Sequence, residues 1–170
     1  MIMRDEYNDA DGDRDDDEDT QKDKYLSFFV GSEEYCVEIA CVIEVIGMQK
    51  ITYVPEMPDY VKGVINLRGQ VIPVTDVRTR FGLESREYTE RTCIVVVSVR
   101  DSLVGLVVDT VSDVFDLPPE QVEPPPMINR RYRNRFIQGL GKVGEDVKII
   151  LDFQKLLFDD KEPADDDSAQ

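Results

Sequence analysis

One stretch narrows the possible folds more than any other: residues 63–77, GVINLRGQVIPVTDV. A β-branched run, a two-residue break at Arg68–Gly69 and a second β-branched run predict a tight hairpin, with strands over 61–67 and 71–75. Glycine fits the break because a short hairpin loop needs positive φ, which costs a residue without Cβ almost nothing. The guanidinium of Arg68 then stands at a hairpin tip. Pro73 has no N–H for a ladder, so the second strand is expected at a sheet edge or a bulge. Asp76 is placed to cap a short helix over 77–81. Strand, turn, strand and cap together make the corner of a small barrel.

The rest of the chain has the same texture. YLSFFV and EEYCVEI predict two strands reversing at Gly31–Ser32. Residues 39–46 are nearly continuously apolar, which suits a helical turn running into a strand, although periodicity alone does not separate the two. Glu44 is the one charge there, readable as an edge charge facing water or as a specificity charge in an apolar contact patch. Pro55 and Pro58 make 48–60 extended or looped. Residues 82–90 form a polar connector, the natural seam between halves. CIVVV and LVGLVV, apolar on consecutive residues, predict strands covered on both faces at the centre of the molecule. A further strand over 111–117 ends at Pro118–Pro119. A proline-rich loop, a strand pair within QGLGKVGEDVKIILD and a closing helix FQKLLF follow.

The second half echoes the first. Residues 42–45 (VIEV) recur as 111–114 (VSDV), and the glycine-bearing turn, apolar strand and Asp of 63–76 recur at 139–152. Asp76 and Asp152 thereby take matching roles as helix caps, each worth about 1 kcal/mol, and are not a catalytic pair. Short strands with closely spaced turns, repeated twice, predict two small barrels.

Charge is concentrated at the ends. Of a net −16, residues 1–24 hold −7 and residues 159–170 hold −5, leaving −4 on 25–158. Residues 1–23 and 159–170 are too poor in apolar residues to offset ordering entropy and are expected to be disordered. The alternating Asp of 9–19 lacks the glycine and glutamate spacing of a calcium loop. So acidic a chain is a poor match for nucleic acid, which is bound through Lys and Arg. The basic run 130–136, Arg130 through Phe136, is the exception, with interleaved aromatics; a solvated loop and a short nucleic-acid patch are its two readings.

Cys36, Cys41 and Cys93 are odd in number, scattered and in apolar surroundings, as core residues are. No apolar run nears the ~20 residues of a membrane span, and the start lacks a signal peptide's pattern. A reducing cytoplasmic setting is expected. Histidine is absent, which removes the commonest general base and zinc ligand. G-x-G-x-x-G occurs at 139–144, but a strand follows where a dinucleotide site needs a helix, so these read as hairpin glycines. No catalytic, metal or cofactor residue is singled out.

Gly63-Val-Ile-Asn-Leu-Arg-Gly69 with Pro73, Val74 and Asp76 resembles the signature of the CheW family of chemotaxis coupling proteins. The segments 103–114 and 139–152 resemble its later motifs, and the likeness runs from about Tyr25 to Phe158. The resemblance implies an all-β fold of two intertwined five-stranded SH3-like barrels, the first over about 24–86 and the second over about 87–158. It implies no enzymatic activity and no cofactor. It further implies an adaptor between chemoreceptor cytoplasmic tips and the histidine kinase CheA, through the kinase's CheW-like regulatory domain. The adaptor would be monomeric alone and part of rings beneath receptor arrays when assembled, without inserting into the membrane itself. By matching position it assigns Val42, Glu44, Gly63, Arg68 and Gly139 to a receptor-facing region between barrels. Gly105, Val111 and Val114 fall where the family is sensitive through packing or partner contact. The acidic N-terminal tail, the 130–135 cluster and the apolar Ile43 and Ile46 depart from the usual pattern, so a different receptor set or an edge covered by another module is open. So are an adaptor role in a chemosensory pathway other than motility and, from another class, a nucleic-acid-binding barrel using 130–136.

Overall fold

The structure is a computed structural model and describes residues 22–125 and 135–158. Residues 1–21 and 159–170 of the expected disordered tails and the 130–134 part of the basic run lie outside those residues; Lys22 and Asp23 are described, and the Asp23 carbonyl accepts the Leu117 N–H at 2.8 Å. Eleven strands are described: β1 Lys24–Val30, β2 Glu33–Glu38, β3 Val42–Gly47, β4 Val61–Leu67, β5 Gln70–Asp76, β6 Cys93–Val99, β7 Ser102–Val108, β8 Thr110–Asp116, β9 Val122–Glu123, β10 Ile137–Val143 and β11 Asp146–Leu151. Two short helices, α1 Val77–Arg80 and α2 Phe153–Phe158, follow β5 and β11.

The fold is all-β, in two sheets that trade hairpins. One sheet has the order β8-β1-β2-β11-β10-β9 and the other β3-β6-β7-β5-β4. The β1–β2 hairpin from the start of the chain therefore lies among strands of the second half, while β6–β7 lies among strands of the first. Each swapped hairpin is joined by one parallel pairing, β2 to β11 and β7 to β5. The echo in the sequence thus becomes an echo in topology: the order β3-β6-β7-β5-β4 maps strand for strand onto β8-β1-β2-β11-β10.

The consecutive apolar residues of β6 and β7 follow from this exchange. Side chains alternate across a strand, so a strand wedged between two cores must be apolar on both faces. Val95, Val97 and Val99 of β6 enter the largest cluster, with Phe28, Val37, Val77, Phe81, Phe136 and Leu156. Ile94 and Val96 point the opposite way, into a second cluster with Ile65, Ile72, Val74 and Val107. A third, around Cys36, Leu117 and Ile150, fills the six-stranded side. Each fully buried aliphatic chain contributes about 1.5–3 kcal/mol.

Pro73 departs from expectation. Strand β5 is flanked by both β4 and β7, so it is not an edge. Proline is accommodated because pairing with β7 begins only at Val74, one residue later, and the bulge in this hairpin lies in β4, between Val61 and Gly63. The two isoleucines that depart from the usual pattern differ in exposure. Ile46 is half-buried and packs against the second cluster, while Ile43 is exposed.

Candidate functional site

The β4–β5 hairpin turns on two residues, Arg68 (φ 52°) and Gly69 (φ 89°), both left-handed. Two positive φ values define the type I′ turn, whose twist matches that of the flanking strands. Asn66 Oδ1 accepts the Gly69 N–H at 2.8 Å and stiffens the loop. Arg68 projects from this tip, its side chain 70% exposed. Its guanidinium donates to the carboxylate of Glu44 on β3, a side chain 27% exposed, through two nitrogens. That pairing, first by hydrogen bonding and then by Coulomb attraction, raises the arginine pKa further. Glu44, ambiguous from its own stretch, is thus the fixed partner of the hairpin tip.

The glycines have a different character. Gly63, Gly105 and Gly139 are all buried. A Cβ on Gly63 (φ 148°) would lie 2.1 Å from the Thr52 carbonyl oxygen, because residue 52 bridges to Val64 and brings a second backbone against β4. A Cβ on Gly139 would lie 2.9 Å from the Glu123 carbonyl oxygen, where β9 crosses β10 in the matching place. On Gly105 it would meet Ile94 Cγ2 at 2.8 Å. All three permit close approach of backbone or core, and none presents a side chain to a partner.

Val42 and Val111 occupy corresponding positions on β3 and β8, each an edge strand of its sheet, and each is half-buried against the largest cluster. Val114, farther along β8, is exposed, as are Ile43 and Val45 on β3. Ser27 was not singled out by sequence, yet it steers β8. Buried in β1, its Oγ accepts the Asp113 N–H at 3.1 Å and donates to the Asp113 carbonyl at 3.3 Å, beside a break in the β1–β8 register. In the sequence it shows only as a serine inside an apolar strand. The eight candidates therefore divide into an exposed ion pair (Glu44, Arg68), edge-strand valines (Val42, Val111, Val114) and packing glycines (Gly63, Gly105, Gly139).

At the other end of the molecule Arg78 Nε and Asp109 pair at 3.0 Å. Asp109 also accepts the Gly31 N–H at 2.8 Å, and Arg78 donates to the Glu84 carbonyl at 2.9 Å, stapling three loops together. A cavity of about 300 Å³ opens beside this staple, closed on one side by Tyr88, whose hydroxyl donates to the capping carboxylate of Asp76 at 2.9 Å. Burial drives the Cys36 thiol and the Tyr25 hydroxyl each up to about 12. Such shifts keep both neutral at ordinary pH. Among the described residues no group of three His, Cys, Asp or Glu side chains is arranged to hold a metal ion, and no helix is long and apolar enough to cross a membrane. Of the basic run, Arg135 and Phe136 are turned inward and buried, with the guanidinium 4.8 Å from the ring centroid.

Comparison with known proteins gives one answer. A sequence model of the CheW-like domain matches residues 24–161. A chemotaxis protein CheW of Klebsiella aerogenes is 38% identical, the match covering 82% of this chain and 84% of the relative. One from Bacillus subtilis is 34% identical over 82% and 88%. The solved structure of the scaffolding protein TtCheW from Thermoanaerobacter tengcongensis superposes with a TM-score of 0.76 at 32% identity, covering 84% of this chain and 97% of that one.

Proposed function

The chain belongs to the CheW family of chemotaxis adaptors, and we propose that it couples chemoreceptor cytoplasmic tips to the histidine kinase CheA by binding both at once. The observation that carries this reading is the exposed guanidinium of Arg68, presented on a rigid two-residue turn and braced by Glu44. A guanidinium has five N–H donors and a carboxylate engages only two, so donors remain for a partner's carboxylate or carbonyl. Because tip and brace are already ordered, little side-chain entropy remains to be lost on docking. Receptor tips dock in the region between the sheets, near this pair, and Val42, Val111 and Val114 supply apolar contact along the edge strands β3 and β8. The kinase's regulatory domain, itself CheW-like, takes the ends of the sheets. Each contact buries about 800 Å² per partner. The buried glycines Gly63, Gly105 and Gly139 act by holding these surfaces in shape.

The protein performs no chemistry in this scheme. It is a cytoplasmic monomer until receptor and kinase recruit it into rings, and residues 24–158 work as one CheW-like domain. The test is a pull-down with purified receptor cytoplasmic fragment and kinase regulatory domain, each alone and then together. Wild-type protein should capture either partner and bridge the two. Arg68→Ala should lose about thirtyfold in receptor affinity while remaining folded, as a binding hot spot does. Receptor affinity within twofold of wild type would remove Arg68 from the interface.

A further inference from the structure

Arg80 ends α1 and is 8% exposed, too deep to touch a partner. Its Nε donates to the Leu156 carbonyl at 2.6 Å and an Nη donates to the Lys155 carbonyl at 3.3 Å, so it closes the last turn of α2. Helix C-termini leave such carbonyls without intrahelical donors, and a cation there is favoured by the helix dipole. The same guanidinium lies over two rings, its Cζ 4.2 Å from the Tyr60 centroid and 4.8 Å from that of Phe136.

Those two rings are counterparts in the internal echo. Tyr60 immediately precedes β4 and Phe136 immediately precedes β10. The Tyr60 carbonyl accepts the Asp76 N–H at 2.7 Å, and the Phe136 carbonyl accepts the Asp152 N–H at 2.8 Å. Three residues beyond each ring stand Gly63 and Gly139, and β4 continues to the Arg68 turn. One planar cation therefore ties together the roots of both strands. The arrangement itself is not symmetric, because Leu156 stands where the echo would place a second arginine.

We propose that Arg80 is a positioning residue that fixes β4 and its Arg68 tip relative to β10, and so sets the geometry of receptor docking without entering the interface. The inference rests on the receptor-docking reading above. Lysine keeps the charge but lacks the flat group that lies over two rings and the second nitrogen that reaches a second carbonyl. Arg80→Lys should therefore loosen the spacing of the two roots while the core remains packed.

The experiment is a double-mutant cycle on the full chain with Arg80→Lys, Arg68→Ala and the pair, reading affinity for receptor fragment, affinity for kinase regulatory domain, and Tm. The expected result for Arg80→Lys is about a tenfold loss in receptor affinity with kinase affinity within twofold, and a double mutant that binds receptor no more weakly than Arg68→Ala alone, the mark of coupled sites. Receptor and kinase affinities falling in step with Tm would make Arg80 merely structural and overturn the proposal. So would losses from Arg80→Lys and Arg68→Ala that simply add. If Arg68→Ala alone leaves receptor binding intact, the docking reading itself fails and takes this inference with it. Should Arg80→Lys not fold, Tyr60→Leu removes one ring and leaves the carbonyl contacts; the same split in affinities is expected, and its absence overturns the proposal.

Discussion

Glu44 and Arg68 pair although they belong to opposite edges of one five-stranded sheet. Laid flat, strands β3 and β4 would be about 19 Å apart, beyond the reach of both side chains. The sheet therefore curls around the cluster of Ile65, Ile72, Ile94 and Val96 until its edges approach. At this end they meet through side chains; among the described residues no ladder joins β3 to β4.

That geometry separates the role of Arg68 in docking from its role in folding. A non-glycine residue at φ 52° is mildly strained, and glycine relieves the strain. Arg68→Gly should keep or raise Tm while reducing receptor capture as much as Arg68→Ala. Thermal melts beside a binding titration check this, and a Tm that falls together with affinity would count against it.

Gly63→Asp should fail by the opposite route. Its Cβ would press on backbone oxygen that is itself paired to Val64, so no flexible atom can yield. The cost is at least about 2 kcal/mol, or roughly 4–8 °C in Tm for a chain of this size. Binding of receptor and of kinase should decline together as the folded fraction drops. A Gly63→Asp protein that melts like wild type yet fails to bind receptor would make this glycine a contact residue after all.

The parts that sequence reveals and those it hides divide along a physical line. Strands, turns and caps are local, so residues 24–47 and 61–80 could be read from alternation, glycines and the capping Asp76. The two-sided burial of β6 and β7 was visible in their unbroken apolar runs. What escaped was non-local pairing. Pro73 suggested an edge because nothing nearby in sequence says that β7 joins β5 only after it. Glu44 could not be assigned because its partner lies 24 residues on. Arg80 left only a faint sign, the aromatic rings of Tyr60 and Phe136 at matching places in the echo; which cation lies over them is decided by the hairpin exchange.

Arg78→Met should destabilise the chain by about 3 kcal/mol, because it leaves the half-buried Asp109 carboxylate without its cation. The Gly31 N–H would remain as a partner, which keeps the loss below that of a fully stranded charge. Adding Asp109→Asn should recover part of it. Chemical denaturation of the three proteins checks this, and a double mutant no better than Arg78→Met would show that the staple is not the source of the loss.

The last expectation concerns pH. The Cys36 thiol is fully buried and its pKa is raised by that burial to about 12, from 9.0. Nearby Lys148 lowers it and Glu34 raises it, but both are secondary to desolvation. In the unfolded chain the thiol ionises from about pH 9, while in the folded protein it holds its proton until about pH 12. Across that window the unfolded state has released a proton that the native state keeps, so stability must fall as pH rises. Tyr25, also shifted upward, adds to the decline in the same direction. At about pH 8 and below, where the unfolded thiol is still largely protonated, neither group contributes appreciably to the slope. Denaturant midpoints measured from pH 8 to 11 should therefore be level at first and then drop, and Cys36→Ala should flatten the drop. A thiol reagent at pH 8.5 should label the half-exposed Cys41 and Cys93 in native protein, with Cys41 slowed by its own raised pKa. Cys36 should react only once denaturant is added; rapid labelling of all three in native protein would mean that the core around Ile150 and Leu117 opens far more readily than its packing implies.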